Sequence, residues 1–120
     1  MVTVTTTRDL SGNIYMVEVT GHAEQAKHGQ DIVCSAISVL TMATLNGLTD
    51  VVKANVDYIV EEGYVKIKVD TNEMKDTIKT LLETFELGIA ALLEDYGRYV
   101  KLVKKEVQPN DKNQSATFCE

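Results

Sequence analysis

The apolar pattern of this chain switches twice from strand-like alternation to helical spacing, and that switching limits the fold more than any other feature. Val2 and Val4 alternate with threonines in VTVTTTR, "DLSGN" supplies turn residues, and IYMVEVT is β-branched and aromatic up to Thr20. These two runs predict an antiparallel hairpin. A helical pattern follows, IVCSAISVLTMATLNGLTDVVK, ending near Lys53. The cycle then repeats. Val56, Tyr58 and Val60 alternate with polar neighbours, "EEGY" turns the chain, and Val65, Ile67 and Val69 alternate with Lys66 and Lys68. From Thr71 or Asn72, apolar residues recur at helical spacing through Met74, Ile78, Leu82, Phe85, Ile89 and Leu93, with Lys75, Glu83 and Glu86 between them, and Gly97 ends the run. RYVKLVKKEV alternates as a last strand.

The order is therefore β-β-α-β-β-α-β. Two adjacent hairpins imply an α+β fold: a mostly antiparallel sheet with two helices packed on one face. At 120 residues the chain suits a single domain that buries roughly two thirds of its unfolded surface. We assign residues 1–108 to that domain. Residues 109–120, PNDKNQSATFCE, lack periodicity and read as a flexible C-terminal tail. The first helical pattern has small or apolar residues on almost every side, so part of it is expected to face a second subunit. Ile32 to Leu48 is interrupted by Ser35, Ser38, Thr41, Thr44, Asn46 and Gly47, and reads as too polar and too short for a membrane span. The N-terminus has no basic start followed by an apolar block, so no signal peptide is expected.

A formal charge of −6 argues against direct nucleic-acid binding, which rests on Lys and Arg neutralising phosphates. It favours a basic partner. The two cysteines, Cys34 and Cys119, do not make a disulfide scaffold, and no C-x-x-C pair suggests a metal. A reducing, cytoplasmic setting is expected.

One stretch, GHAEQAKHGQDIVCSAIS from Gly21 to Ser38, holds both histidines and the one cysteine remote from the C-terminus. GHAEQAKHGQ reads as a mobile loop flanked by Gly21 and Gly29. Asp31 is placed to cap the helix, and Cys34 to fall in its first turn, among free amides that favour an anion. A free thiol, with a pKa of about 8.5, is only a few per cent thiolate at neutral pH. A helix dipole is worth at most ~2 kcal/mol. At roughly 1.4 kcal/mol per pKa unit, that is too little, so nucleophilic chemistry here needs an imidazole as base or ion-pair partner. His22 directly follows a strand and sits on rigid structure. His28 lies within the loop, a poor position for a catalytic base. Ser38 is one turn beyond Cys34 on the same helix face. Taken singly, each residue has a plain reading: a packed cysteine, a surface histidine, a capping aspartate, a packed serine. Cys119 has no assigned role.

Taken together, Gly21-His22-Ala23, Gly29, Asp31-Ile32-Val33-Cys34 and Ser38 resemble the pattern of the ribosomal-processing cysteine protease family, Prp. The likeness extends over about nine tenths of the chain. Ser35 departs from the alanine commoner after the cysteine, and the tail has no counterpart. The resemblance implies that Cys34 is the nucleophile and His22 its partner, with Asp31 and Ser38 supporting and Gly21 and Gly29 flanking a substrate-gating loop. It also implies a homodimeric cytoplasmic enzyme that needs no metal or organic cofactor. The implied reaction removes an N-terminal extension from a basic ribosomal protein precursor, large-subunit protein number twenty-seven, by a cut after an aromatic residue. Two other readings remain at this point: a thiol redox sensor, and a non-enzymatic dimeric module in ribosome assembly.

Overall fold

The structure, a computed structural model, describes residues 1–21 and 28–107, with the backbone alone for 28–30. Residues 109–120, including Cys119, lie outside the described residues. The strands are β1 (Val2–Arg8), β2 (Ile14–Thr20), β3 (Val56–Glu61), β4 (Tyr64–Val69) and β5 (Val100–Glu106), and the helices are α1 (His28–Asn46) and α2 (Asp76–Tyr96). They form one five-stranded sheet in the order β3-β4-β2-β1-β5. The element order and α+β class expected from the sequence are found. Three strand pairs are antiparallel, and β5 returns after α2 to pair in parallel with β1, Val2 opposite Val100 and Arg8 opposite Glu106.

Strand alternation sends Val4, Val17 and Ile67 to the helix side, where they are buried with Val33 and Ile37 of α1 and Leu82 and Phe85 of α2. The far face carries Thr3, Thr5, Lys66 and Lys68. The two helices meet where Gly88 passes Leu40. A methyl at Gly88 would come within 2.7 Å of Leu40 Cδ2, so the glycine permits the close approach. A β-bulge between Thr7 and Arg8 makes Tyr15 the extra residue and sets Ile14 opposite Arg8.

Two boundaries differ from the sequence reading. The helix expected after Asp31 begins at His28, so Asp31 is exposed within the first turn instead of capping it. The helix also leaves regular α geometry at Gly47, continuing as a π turn over Gly47–Val51. Before α2, a separate 3-10 turn spans Thr71–Glu73, capped by Asp70, whose carboxylate accepts the Asn72 amide at 2.9 Å. By length and composition Asp31–Val51, with mean hydropathy 1.6, is long and apolar enough to cross a membrane, contrary to expectation. Here Val33, Ile37, Leu45 and Leu48 of that stretch are buried in the core beneath the sheet and α2.

Glu86 is the other surprise. It is 4% exposed, although the sequence suggested a solvent-side position. Thr6 Oγ1 donates to Glu86 Oε2 at 2.5 Å and Arg8 Nη2 donates to Oε1 at 2.7 Å. Arg8 also donates through Nη1 to Glu83 Oε2 at 2.6 Å. The Glu83 hydrogen bond, joined by the charge of Glu86, holds the Arg8 guanidinium above its ordinary range against the opposing effect of burial. These bonds clamp the middle of α2 to the end of β1.

Candidate active site

Cys34 lies on the seventh residue of α1, in its second turn, and its side chain is half-buried and free. The unpaired amides of a helix belong to its first four residues. In α1 these are residues 28–31, so Cys34 stands beyond them and not among them, as the sequence had suggested. Gly29 lies in the first turn of α1.

The thiol borders a cavity of about 310 Å³ between α1 and one end of the sheet. From α1, Cys34, Ser38 and Thr41 enter its wall at spacings of four and three residues, which places them in one row on the helix. Its apolar lining comes from Val2, Val19, Ile37, Met42 and Val65. Gly21 and the turn joining β3 to β4 close the side opposite the helix, where Glu61 and Glu62 are exposed. The site is therefore an apolar socket with a thiol in one wall and carboxylates near its mouth.

Local sequence explains this placement. Gly21 ends β2 with φ +91°, a left-handed conformation that glycine adopts freely, and its amide donates to the Gly63 carbonyl at 3.0 Å. A side chain at Gly21 would overlap the Met1 carbonyl oxygen. One glycine thus ties the end of β2 to the hairpin turn and brings the chain past the N-terminus. On the sheet's other face, the Tyr64 hydroxyl donates to Glu18 Oε2 at 3.0 Å, pinning the start of β4. Burial, helped by that carboxylate, pushes the Tyr64 phenol above its ordinary range.

Among the sequence-predicted residues, the structure brings Cys34, Ser38 and Gly21 to one cavity. Asp31 is one turn earlier on α1, exposed. His22, the proposed base, lies outside the described residues, as does the side chain of His28. The sequence reading missed Thr41, although its spacing of seven from Cys34 continues the same helix face. It also missed the β3–β4 turn, which no local signal connects to Cys34. Among the described residues no group of three or more His, Cys, Asp or Glu is placed to hold a metal ion.

Comparison with known proteins places the chain in a family. The family model described as cysteine protease Prp matches residues 1–101. The ribosomal processing cysteine protease Prp of Staphylococcus aureus is 30% identical over 106 residues, which is 85% of this chain and 97% of that one. The protein of the same name from Bacillus subtilis is 35% identical over 48 residues, 40% of this chain and 43% of its own. The crystal structure of SMU.848 from Streptococcus mutans superposes with a TM-score of 0.80 at 34% identity, covering 88% of this chain and 98% of that one. The S. aureus ribosomal processing protease Prp in complex with a substrate peptide shares the fold, with a TM-score of 0.80 at 23% identity, covering 88% and 100% of the two chains. With that match across the domain, and a half-buried thiol opening on an apolar cavity, the chain belongs to the cysteine protease Prp family.

Proposed function

We propose that this chain removes the N-terminal extension of large-subunit ribosomal protein number twenty-seven in the bacterial cytoplasm, with Cys34 as nucleophile and His22 as its general base. The observation that carries the proposal is the cavity of about 310 Å³ with the Cys34 side chain in its wall. A volume of that size, lined by valine, isoleucine and methionine, accommodates an aromatic side chain, and it holds that residue's carbonyl near the sulfur. His22 is bonded directly to Gly21, and Gly21 lines the same cavity. The field of a helix terminus fades within its first turn. Activation of a sulfur in the second turn therefore rests on a neighbouring base.

In the proposed reaction His22 takes the thiol proton as Cys34 Sγ attacks the scissile carbonyl carbon. The tetrahedral intermediate collapses to a thioester as the C–N bond breaks, and the leaving amine receives the proton from His22. Water, deprotonated by His22, then cleaves the thioester and the sulfur regains its proton. Asp31 and Ser38 support the site from the same helix. Glu61 and Glu62 at the mouth, with a net charge of −6, suit a basic substrate. Among the S. aureus relatives, one structure holds a substrate peptide and another a covalently linked product peptide.

The enzyme acts as a homodimer in this reading. Val39 of α1 is 70% exposed and Leu87 of α2 is 69% exposed, each beside the Leu40–Gly88 contact in sequence. Large apolar side chains left outward on both helices are what a second copy of the helix layer would cover.

Mass spectrometry of a purified ribosomal protein bearing its extension tests the whole assignment. The wild-type chain is expected to release the extension, whereas Cys34→Ala and His22→Ala are each expected to lose the activity while keeping the wild-type circular dichroism spectrum. Processing by folded Cys34→Ala would remove the protease reading. Activity retained in His22→Ala would remove His22 as the base.

A further inference from the structure

The sheet ends at β3, which pairs only with β4 among the described strands. One bond fixes which way its backbone groups point. The Gly63 carbonyl accepts the Gly21 amide, so it faces β2. Along a paired strand, the backbone groups of successive residues turn to alternate sides. Val65 and Ile67 therefore also bond to β2, while Tyr64, Lys66 and Lys68 bond to β3, where their partners are Glu61, Ile59 and Asp57. The amides and carbonyls of Val56, Tyr58 and Val60 are left on the free edge.

This edge lacks the usual guards. Natural edge strands carry lysine, proline or a bulge that discourages pairing with another chain. From Val56 to Glu62 there is no lysine, arginine or proline, and the register against β4 is unbroken. Tyr58, Ile59 and Val60 are all exposed. The charges of the segment are Asp57, Glu61 and Glu62, none of them in an ion pair among the described residues. At the other end of the sheet, β5 is guarded in the ordinary way by Lys101, Lys104 and Lys105. Two copies pairing β3 against β3 about Ile59 would set Asp57 of each against Glu61 of the other. The edge thus repels itself and suits a basic strand. It also runs into the reactive cavity, since Val60, Glu61 and Glu62 line that cavity together with Cys34.

Resting on the protease reading, we infer that the free edge of β3 is the docking surface for the substrate, which adds to the sheet as an extended strand. From Val60 back to Val56 the edge is about 13 Å long at roughly 3.3 Å per residue. The paired segment therefore covers four or five peptide residues, starting beside the one held in the cavity. Tyr58 and Val60 stand opposite Ile67 and Val65, on the helix side of the sheet, and Asp57 and Glu61 are on the far side. The peptide alternates to match. Every second residue lays an apolar side chain beside Tyr58 and Val60, and those between carry basic groups towards Asp57 and Glu61. Main-chain bonds supply the affinity and alternate side chains the selectivity.

The test uses the full wild-type chain and a peptide spanning the junction between extension and mature protein. The peptide is N-methylated at one backbone position at a time, two to six residues from the cut on either side. On one side of the cut, alternate positions are expected to lose about tenfold in kcat/KM, chiefly through KM, while the positions between them stay within about twofold. Tyr58→Pro removes an outward amide without breaking a bond to β4, and is expected to raise KM about tenfold. Tyr58→Ala keeps that amide and is expected to raise KM less. In sedimentation velocity Tyr58→Pro is expected to keep the wild-type mass. Cleavage without a two-residue period on either side of the cut overturns the inference. So does a lowered mass for Tyr58→Pro, which would assign the edge to a second copy of the chain. Failure to cleave the unmodified peptide, or equal cleavage by Cys34→Ala, would instead refute the underlying protease reading.

Discussion

Replacing Arg8 by alanine separates a buried charge contact from an exposed one on the same side chain. Glu86 is almost fully enclosed, and Arg8 Nη2 approaches it at 2.7 Å, whereas the Glu83 side chain on the other branch of the guanidinium is 45% exposed. Removing one partner of a buried pair costs about 3–5 kcal/mol because the other charge is left inside. Two contacts moderate the loss. The Thr6 hydroxyl still donates at 2.5 Å, and Lys104 Nζ stands 3.7 Å away on a largely exposed side chain. The expected cost of Arg8→Ala is therefore near the lower figure, ~3 kcal/mol. Glu83→Ala removes a partner open to water and is expected to cost ~1 kcal/mol or less. Domains are typically stable by about 5–15 kcal/mol, so the first change removes a large fraction and the second little. Urea unfolding followed by circular dichroism reads both. With an m-value of roughly 1.5 kcal/mol/M, Arg8→Ala lowers the midpoint by about 2 M without altering the slope. Arg8 lies six residues along β1 from Val2 in the cavity, about 20 Å, so peptide turnover per folded molecule is expected to hold. Equal losses from the two variants, or less than ~1 kcal/mol from Arg8→Ala, would refute the view that burial decides the strength of these contacts.

Two further outcomes test the site and its assembly. Gly21→Ala forces a side chain into a positive φ and against the Met1 carbonyl, so it is expected to destabilise by about 1–3 kcal/mol and to reduce peptide turnover. A variant with wild-type melting and kinetics would show that Gly21 does not hold the cavity wall. Sedimentation velocity at micromolar concentration is expected to give twice the chain mass for wild type and the single-chain mass for Val39→Asp combined with Leu87→Asp. A monomeric wild type would remove the dimer through the helix layer.

What the sequence made legible was the part encoded by near neighbours. Alternation over Val65–Val69 and helical recurrence from Ile78 to Ile89 both mark buried faces that the structure bears out. The helical spacing likewise put Cys34 and Ser38 on one face of α1, and both line one cavity. The hidden part depends on pairing across the chain. Glu86 reads as a surface residue because its partners, Arg8 and Thr6, are 78 and 80 residues away. The cavity wall supplied by the β3–β4 turn depends on the register of β4 against β2, with Val19 opposite Val65. No periodicity in either strand announces that register. The start of α1 was misplaced because Gly29 reads as a loop residue and Asp31 as a cap, whereas the helix runs through both.

The composition of α1 follows from the several demands placed on it. Val33, Ile37, Leu45 and Leu48 fill the core, while the row from Cys34 through Ser38 to Thr41 faces the cavity, and Ile32 and Val39 stand exposed. A helix apolar on nearly every side resembles a membrane span in composition, yet its burial pattern assigns each side a different neighbour. Its threonines obey the same logic. In apolar surroundings a hydroxyl must find a carbonyl, and Thr44 and Thr49 find their own helix.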